Sequence, residues 1–219
     1  MSGKIRKYEG QDIVVKYDAQ RCIHAEECVK GLPEVFARGR RPWVDADAAS
    51  ADEVAEVVVR CPTGALWFER RDGGMAETPL RESTAEVSAD GPVNLKGDIA
   101  VVSATGESVL EATRISLCRC GASKNKPFCD GSHSEIGFQD AGNLADAKPM
   151  PEGFEPGGQL TVTPLANGPV LVKGSLEVRS ADGATSSFHD SQAALCRCGG
   201  SGKKPYCDGT HKKIGFVAE

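Results

Sequence analysis

Apolar residues are spread along this chain in short runs rather than long periodic faces. Ile13-Val14-Val15 and the stretch from Ala65 to Phe68 have the length and the β-branched or aromatic content of strands. Between them, Ser50 followed by Glu53 has the spacing of a capping box. Val54, Val57 and Val58 then fall on one side of the helix this predicts, and Cys61-Pro62 follows at its end. Farther on the pattern turns strand-like: Ile99, Val101 and Val102 in one stretch, Leu176 and Val178 in another, with turn residues such as Ser180-Ala181-Asp182-Gly183 nearby. No stretch approaches the roughly 18 consecutive apolar residues of a membrane-spanning helix. The start of the chain is polar and has no signal-like apolar core, so a cytoplasmic protein without membrane contact is expected.

Sliding the chain against itself exposes a repeat. Gly91-Pro92-Val93, leading to Cys118-Arg119-Cys120, returns as Gly168-Pro169-Val170, leading to Cys196-Arg197-Cys198. Lys-Pro-Phe-Cys-Asp-Gly-Ser-His at 126–133 returns as Lys-Pro-Tyr-Cys-Asp-Gly-Thr-His at 204–211, and both copies close on Ile-Gly-Phe. Each copy reads as a small β unit ending in a cysteine-rich loop. Residues 72–83 and 139–158 carry no apolar period and read as linkers, which leaves units at 1–71, 84–138 and 159–219.

Composition sharpens this picture. Aromatic residues make up only 5% of the 219, whereas glycine and proline number 25 and 12, so large apolar cores are scarce and bound metal is the usual substitute in small units. A net charge of -5 excludes a general nucleic-acid binder. Nine cysteines, an odd number, suit metal binding in a reducing compartment better than a disulfide framework. Gly199 to Lys203 lacks the spacing of a phosphate loop.

The donors in each copy follow C-x-C-x8-C-x3-H: Cys118, Cys120, Cys129 and His133, then Cys196, Cys198, Cys207 and His211. Soft thiolates select zinc, cuprous copper or iron-sulfur clusters, and three cysteines with one histidine also make a common closed zinc site. The C-x-C gap is shorter than in zinc fingers and suits two thiolates on one iron of a binuclear cluster. Gly121, Gly131, Gly199, Gly200 and Gly209 would let backbone amides approach such a core. Asp130 and Asp208 are placed to fix the ligand loop through backbone hydrogen bonds.

The strings Cys129-Asp130-Gly131-Ser132-His133 and Cys207-Asp208-Gly209-Thr210-His211, each preceded by C-x-C, resemble the CDGSH iron-sulfur family that includes mitoNEET. The resemblance implies a 2Fe-2S cluster per motif on three cysteines and one histidine, and paired motifs about a two-fold axis. With both motifs on one chain, the pair is expected to form an intramolecular pseudo-dimer, and the protein to be a monomer. Imidazole ligation raises the potential and couples the site to protons.

Cys22, Cys28 and Cys61-Pro62 remain. They resemble the C-x2-C-x2-C and distant Cys-Pro of divergent single-cluster ferredoxin domains, with Ala25 at the middle cysteine position. That resemblance covers roughly residues 10 to 70 and implies a 3Fe-4S cluster, or a 4Fe-4S cluster with His24, Glu26 or solvent on the fourth iron. The expected fold is α+β: a ferredoxin-like domain followed by two β-rich CDGSH modules. The expected function is electron transfer to a redox partner protein, not catalysis. The alternatives are donation of clusters to an apo iron-sulfur acceptor, redox or pH sensing, and a zinc-stabilised interaction module. Basic residues near the repeated sites, among them Arg119, Lys126, Arg197 and Lys204, offer a docking face for an acidic partner.

Overall fold

The computed structural model describes residues 5–144 and 152–218, apart from the side chains of 188–191; residues 145–151 of the expected second linker lie outside the described residues. The chain divides into two compact units, Met1–Thr78 and Pro79–Glu219.

The first unit is built on an antiparallel sheet in the order β1 (Arg6–Glu9), β2 (Ile13–Tyr17), β3 (Leu66–Arg70). A 3-10 turn, Ala19–Arg21, follows β2 and carries the chain to Cys22. Helix α1 (Glu27–Gly31) holds Cys28, and helix α2 (Ala51–Val58) runs towards Cys61. The capping box is present in both directions: the Ser50 hydroxyl accepts from the Glu53 N–H at 3.3 Å, and the Glu53 carboxylate accepts from the Ser50 N–H at 3.0 Å. Val54, Val57 and Val58 face a core with Ile13, Val15, Phe36 and Leu66.

The second unit departs from the picture of two separate β units. Its strands are β4 (Thr84–Val87), β5 (Val93–Val102), β6 (Ser108–Leu117), β7 (Gly157–Pro164), β8 (Val170–Arg179) and β9 (Thr185–Leu195). β5–β6 and β8–β9 are the hairpins of the two copies, and each ends at a C-x-C pair. Their other edges are shared. One end of β5 takes β4 antiparallel and the other takes β7 parallel, while β8 takes β7 antiparallel and β4 parallel. Each copy thus lends its lead-in strand to the other, and β4, β5, β7 and β8 close on one another.

Alternation explains why the core is single. Val93, Leu95, Ile99 and Val101 of β5 point inwards, as do Val170, Val172, Leu176 and Val178 of β8, and they meet Leu160 and Val162 of β7 in one cluster. The gap in each series is a glycine, Gly97 or Gly174, where the edge partner changes. Their φ values of +138° and +137° and the crowding at both sites exclude other residues: a Cβ on Gly97 would lie 2.6 Å from Ser83 Oγ, and one on Gly174 2.8 Å from Leu160 Cδ2. Among the described residues no helix is long and apolar enough to cross a membrane.

Shared burial makes the copies interdependent. Leu160 is fully buried, so Leu160→Ala is expected to destabilise the unit by about 2–5 kcal/mol. Hydrogen exchange should accelerate in β5 of the first copy as much as in β8 of the second. Acceleration confined to the second copy would show two separate cores.

Candidate metal centres

In the second unit the ligand loops are made by the chain folding back on its own strand ends. Beyond β6, the Cys118 N–H donates to Pro127 O at 2.9 Å and the Cys129 N–H to Ser116 O at 2.8 Å, which brings Cys129 back beside Cys118. The second copy repeats this with Cys196 N–H to Pro205 O and Cys207 N–H to Ala194 O, both 2.8 Å. Single-turn helices α3 (Ser132–Glu135) and α4 (Thr210–Lys213) then present His133 and His211.

The donors fall into pairs. Cys118 Sγ and Cys120 Sγ are 3.8 Å apart, and Cys129 Sγ lies 3.3 Å from His133 Nδ1. The second copy has the same spacings, 3.8 Å for Cys196 and Cys198 and 3.3 Å for Cys207 and His211. Cys118, Cys129 and Cys196 are buried, whereas both histidines are partly exposed. The Ala122 N–H donates to Cys120 Sγ and the Gly209 N–H to Cys207 Sγ, each at 3.4 Å.

The aspartates brace these loops as their spacing suggested. Asp130 accepts from the Ser132 N–H at 3.0 Å, the Ser132 hydroxyl at 2.7 Å and the Lys124 N–H at 2.8 Å. Burial opposes its charge, but these donors outweigh it and hold the carboxyl below the usual range. Asp208 accepts from the Thr210 N–H and the Gly202 N–H, and its carboxyl is also held low, chiefly by Thr210.

Burial and the close Cys118–Cys120 pair shift the acidity of several of these thiols. The hydrogen bond between Cys118 and Cys120 holds Cys118 high and Cys120 low, and burial adds to the rise at Cys118. Burial pushes Cys129 up to about 11 and raises Cys196. It also lowers His133, which keeps the imidazole neutral and able to ligate.

Two features were assigned differently by the sequence. Arg119 and Arg197 are buried, each at 1% exposure, and so form no part of an exposed face. Arg119 donates to Gly91 O at 2.9 Å and Ser88 O at 2.6 Å and pairs with Asp140; Arg197 donates to Gly168 O at 3.0 Å and Leu165 O at 2.5 Å. Each guanidinium also stacks on the phenyl ring closing its copy, Phe138 or Phe216. Lys126 and Lys204 are likewise engaged, donating to Ser123 O and Ser201 O. The second feature concerns Gly121 and Gly199. Their near neighbours are the backbone carbonyls of the opposite copy, since a Cβ on Gly121 would lie 2.4 Å from Cys198 O and one on Gly199 2.3 Å from Cys120 O. Among the expected glycines, this pair lets the two C-x-C loops touch.

In the first unit, Cys22, Cys28 and Cys61 line one cavity of about 690 Å³ together with Tyr17, His24 and Trp43. Arg21, a buried residue that the sequence reading passed over, donates to Thr63 O at 2.5 Å and so ties the Cys22 turn to the Cys61-Pro62-Thr63 segment. His24 and Glu26 both have positive φ, +57° and +67°, which turns the Cys22–Cys28 loop sharply. His24 Nδ1 lies 4.0 Å from Cys22 Sγ. Glu26 is committed elsewhere, to Lys30 at 3.1 Å and Arg38 at 2.7 Å. Burial, reinforced by Cys61, pushes Cys28 up to about 11.

Comparison with known proteins agrees with the two kinds of site. Residues 90–134 and 167–212 match the iron-binding zinc finger of the CDGSH type, once per repeat. The chain carries two iron-binding segments of the CDGSH type. Ahead of its CDGSH segments, residues 8–71 match the divergent 4Fe-4S mono-cluster domain. Over 71 residues the chain is 32% identical to the uncharacterized protein YjdI of Escherichia coli strain K12, an alignment covering 32% of this chain and 93% of YjdI. YjdI of Escherichia coli O157:H7 matches equally.

Removing one brace isolates its contribution. Asp130→Ala leaves three donors without their acceptor, and a loss of about 1–3 kcal/mol is expected. Under chelator challenge the variant should shed iron from the first CDGSH segment ahead of the second, with Asp130→Asn intermediate. Iron retention equal to that of the unaltered protein would refute bracing by Asp130.

Proposed function

We propose that the protein is an electron carrier with three clusters: 2Fe-2S clusters on Cys118, Cys120, Cys129 and His133 and on Cys196, Cys198, Cys207 and His211, and a 4Fe-4S cluster on Cys22, Cys28 and Cys61. In this reading it is a cytoplasmic monomer, its first unit serves as a ferredoxin-like domain, and its CDGSH segments form an intramolecular pseudo-dimer.

The paired donors carry this reading. Metal–sulfur and metal–nitrogen bonds of about 2.3 and 2.0 Å at a tetrahedral centre put two thiolates about 3.8 Å apart, and a thiolate and an imidazole about 3.5 Å apart. The observed 3.8 and 3.3 Å suit one iron per pair and two irons per segment. At the first unit, the match to a 4Fe-4S mono-cluster domain supports four irons over the three suggested by Ala25. His24 or solvent is left for the fourth iron, because Glu26 is held in two ion pairs.

When bound, such clusters supply one-electron oxidation and reduction without bond rearrangement in a substrate. The chain's own residues do the rest. The strand ends bury Cys118 and Cys196, the Ala122 and Gly209 amides donate to sulfur, and touching C-x-C loops hold the two centres in one frame. Partial exposure of His133 and His211 also favours a second reading, donation of clusters to an apo acceptor.

Replacing both histidines separates the two readings. In His133→Cys/His211→Cys, an added thiolate anion at each centre should lower the midpoint potentials in an anaerobic titration. An electron carrier would still exchange electrons reversibly with a redox dye, and its clusters would stay in place beside apo-ferredoxin. Net transfer of clusters from the unaltered protein to apo-ferredoxin, slowed in the variant, would favour donation. Potentials unchanged by the double substitution would contradict histidine ligation.

A further inference from the structure

The first unit neutralises most of its cations internally. Lys16 pairs with Glu69, Lys30 and Arg38 with Glu26, Arg60 with Glu56, Arg70 with Asp52 and Asp72, and Arg71 with Glu9. Arg6, Arg40 and Arg41 have no carboxylate partner among the described residues, and they are gathered in one place. All three line a second cleft, of about 550 Å³, whose remaining walls are Tyr8, Gly39, Pro42 and Trp43; no acidic residue lines it.

This cleft adjoins the cysteine-lined cavity. Arg40 spends its guanidinium on carbonyls of its own loop, donating to Glu34 O at 2.8 Å, Val35 O at 2.5 Å and Pro42 O at 3.3 Å, so its charge is fixed but not cancelled. Arg6 and Arg41 are exposed. Arg6, Gly39 and Trp43 line both cavities, so the Trp43 indole is a common wall. Trp43 stands edge-on to Tyr17 at 5.0 Å on the cysteine side and to Tyr8 at 6.0 Å on the cleft side. Three unneutralised guanidiniums on a chain of net charge -5, one indole away from a set of metal-binding thiols, make a local field of the sign opposite to the whole molecule.

We propose that the Arg6–Arg40–Arg41 cleft is the docking surface for an acidic redox partner protein that exchanges electrons with the N-terminal centre. This rests on the reading of Cys22, Cys28 and Cys61 as cluster ligands. Guanidinium forks match surface carboxylates two oxygens at a time, and unpaired cations at the rim steer encounter before contact. At the repeated sites, by contrast, Arg119 and Arg197 are buried and cannot take part in such a surface.

The test uses the full-length, cluster-loaded protein and two reductants, an acidic flavodoxin and the methyl viologen radical cation. Reduction of the N-terminal centre is followed by its electron paramagnetic resonance signal after rapid freezing, the signal being assigned by its loss in Cys28→Ser. Arg6→Glu/Arg41→Glu should slow reduction by flavodoxin about tenfold or more at low salt, whereas Arg6→Lys/Arg41→Lys should keep most of the rate. The flavodoxin rate should fall as salt rises from about 20 to about 500 mM, which screens exposed charge. Reduction by methyl viologen should not slow in any of these variants. A flavodoxin rate within about twofold of the unaltered protein in the charge-reversed variant, or a rate independent of salt, would overturn the proposal. So would suppression by a few millimolar inorganic phosphate at constant ionic strength, which would make the cleft a small-anion site. Absence of any signal sensitive to Cys28→Ser would instead overturn the reading of the N-terminal centre.

Discussion

The second unit depends on the exchange of lead-in strands between its two copies. β4 and β7 each pair with both long strands, β5 and β8, and each changeover is made possible by a glycine, Gly97 or Gly174, that leaves room for the crossing chain. Neither copy could bury its inward-facing valines and leucines alone, because part of each apolar surface is covered by residues from the other. One core therefore positions both cysteine loops. The contact of Gly121 with Cys198 and of Gly199 with Cys120 follows from that frame, since the C-x-C pairs begin directly after the last residues of β6 and β9.

Charge is arranged around the same frame. Placing an arginine between the two cysteines of each C-x-C pair buries a cation there, and the chain satisfies it with the carbonyls of the preceding β-turn and an aromatic ring from its own closing segment. The copies are not identical here. Asp140 pairs with Arg119 and also reaches Lys204 of the other copy at 3.4 Å, whereas the corresponding position in the second copy is Ala218, which offers only its carbonyl, at 3.2 Å from Arg197. Two sites with the same ligands thus have different electrostatic surroundings.

Local features were legible in the sequence because local physics decides them. The capping box at Ser50, the strand at Ile13 and the bracing by Asp130 each depend on residues a few positions apart. The ligand loops were legible for the same reason: C-x-C-x8-C-x3-H closes within 16 residues. The strand exchange left no such signal. Parallel pairing of β4 with β8 joins Thr84 to Glu177, and nothing in the alternation of either strand names its partner. Arg119 and Arg197 were read as part of an exposed docking face, as arginines are mostly exposed, because their acceptors lie about thirty residues upstream and are backbone carbonyls. The cleft at Arg6, Arg40 and Arg41 became visible only once the ion pairs of the unit had been traced in space.

Iron, zinc and acid-labile sulfide per chain, measured on protein purified without oxygen, test the central account most directly. Two 2Fe-2S centres and one 4Fe-4S centre require about eight irons and about eight sulfides, with zinc near zero. About two zincs with no sulfide would contradict it, leaving a zinc-stabilised module in which the paired donors close around single ions.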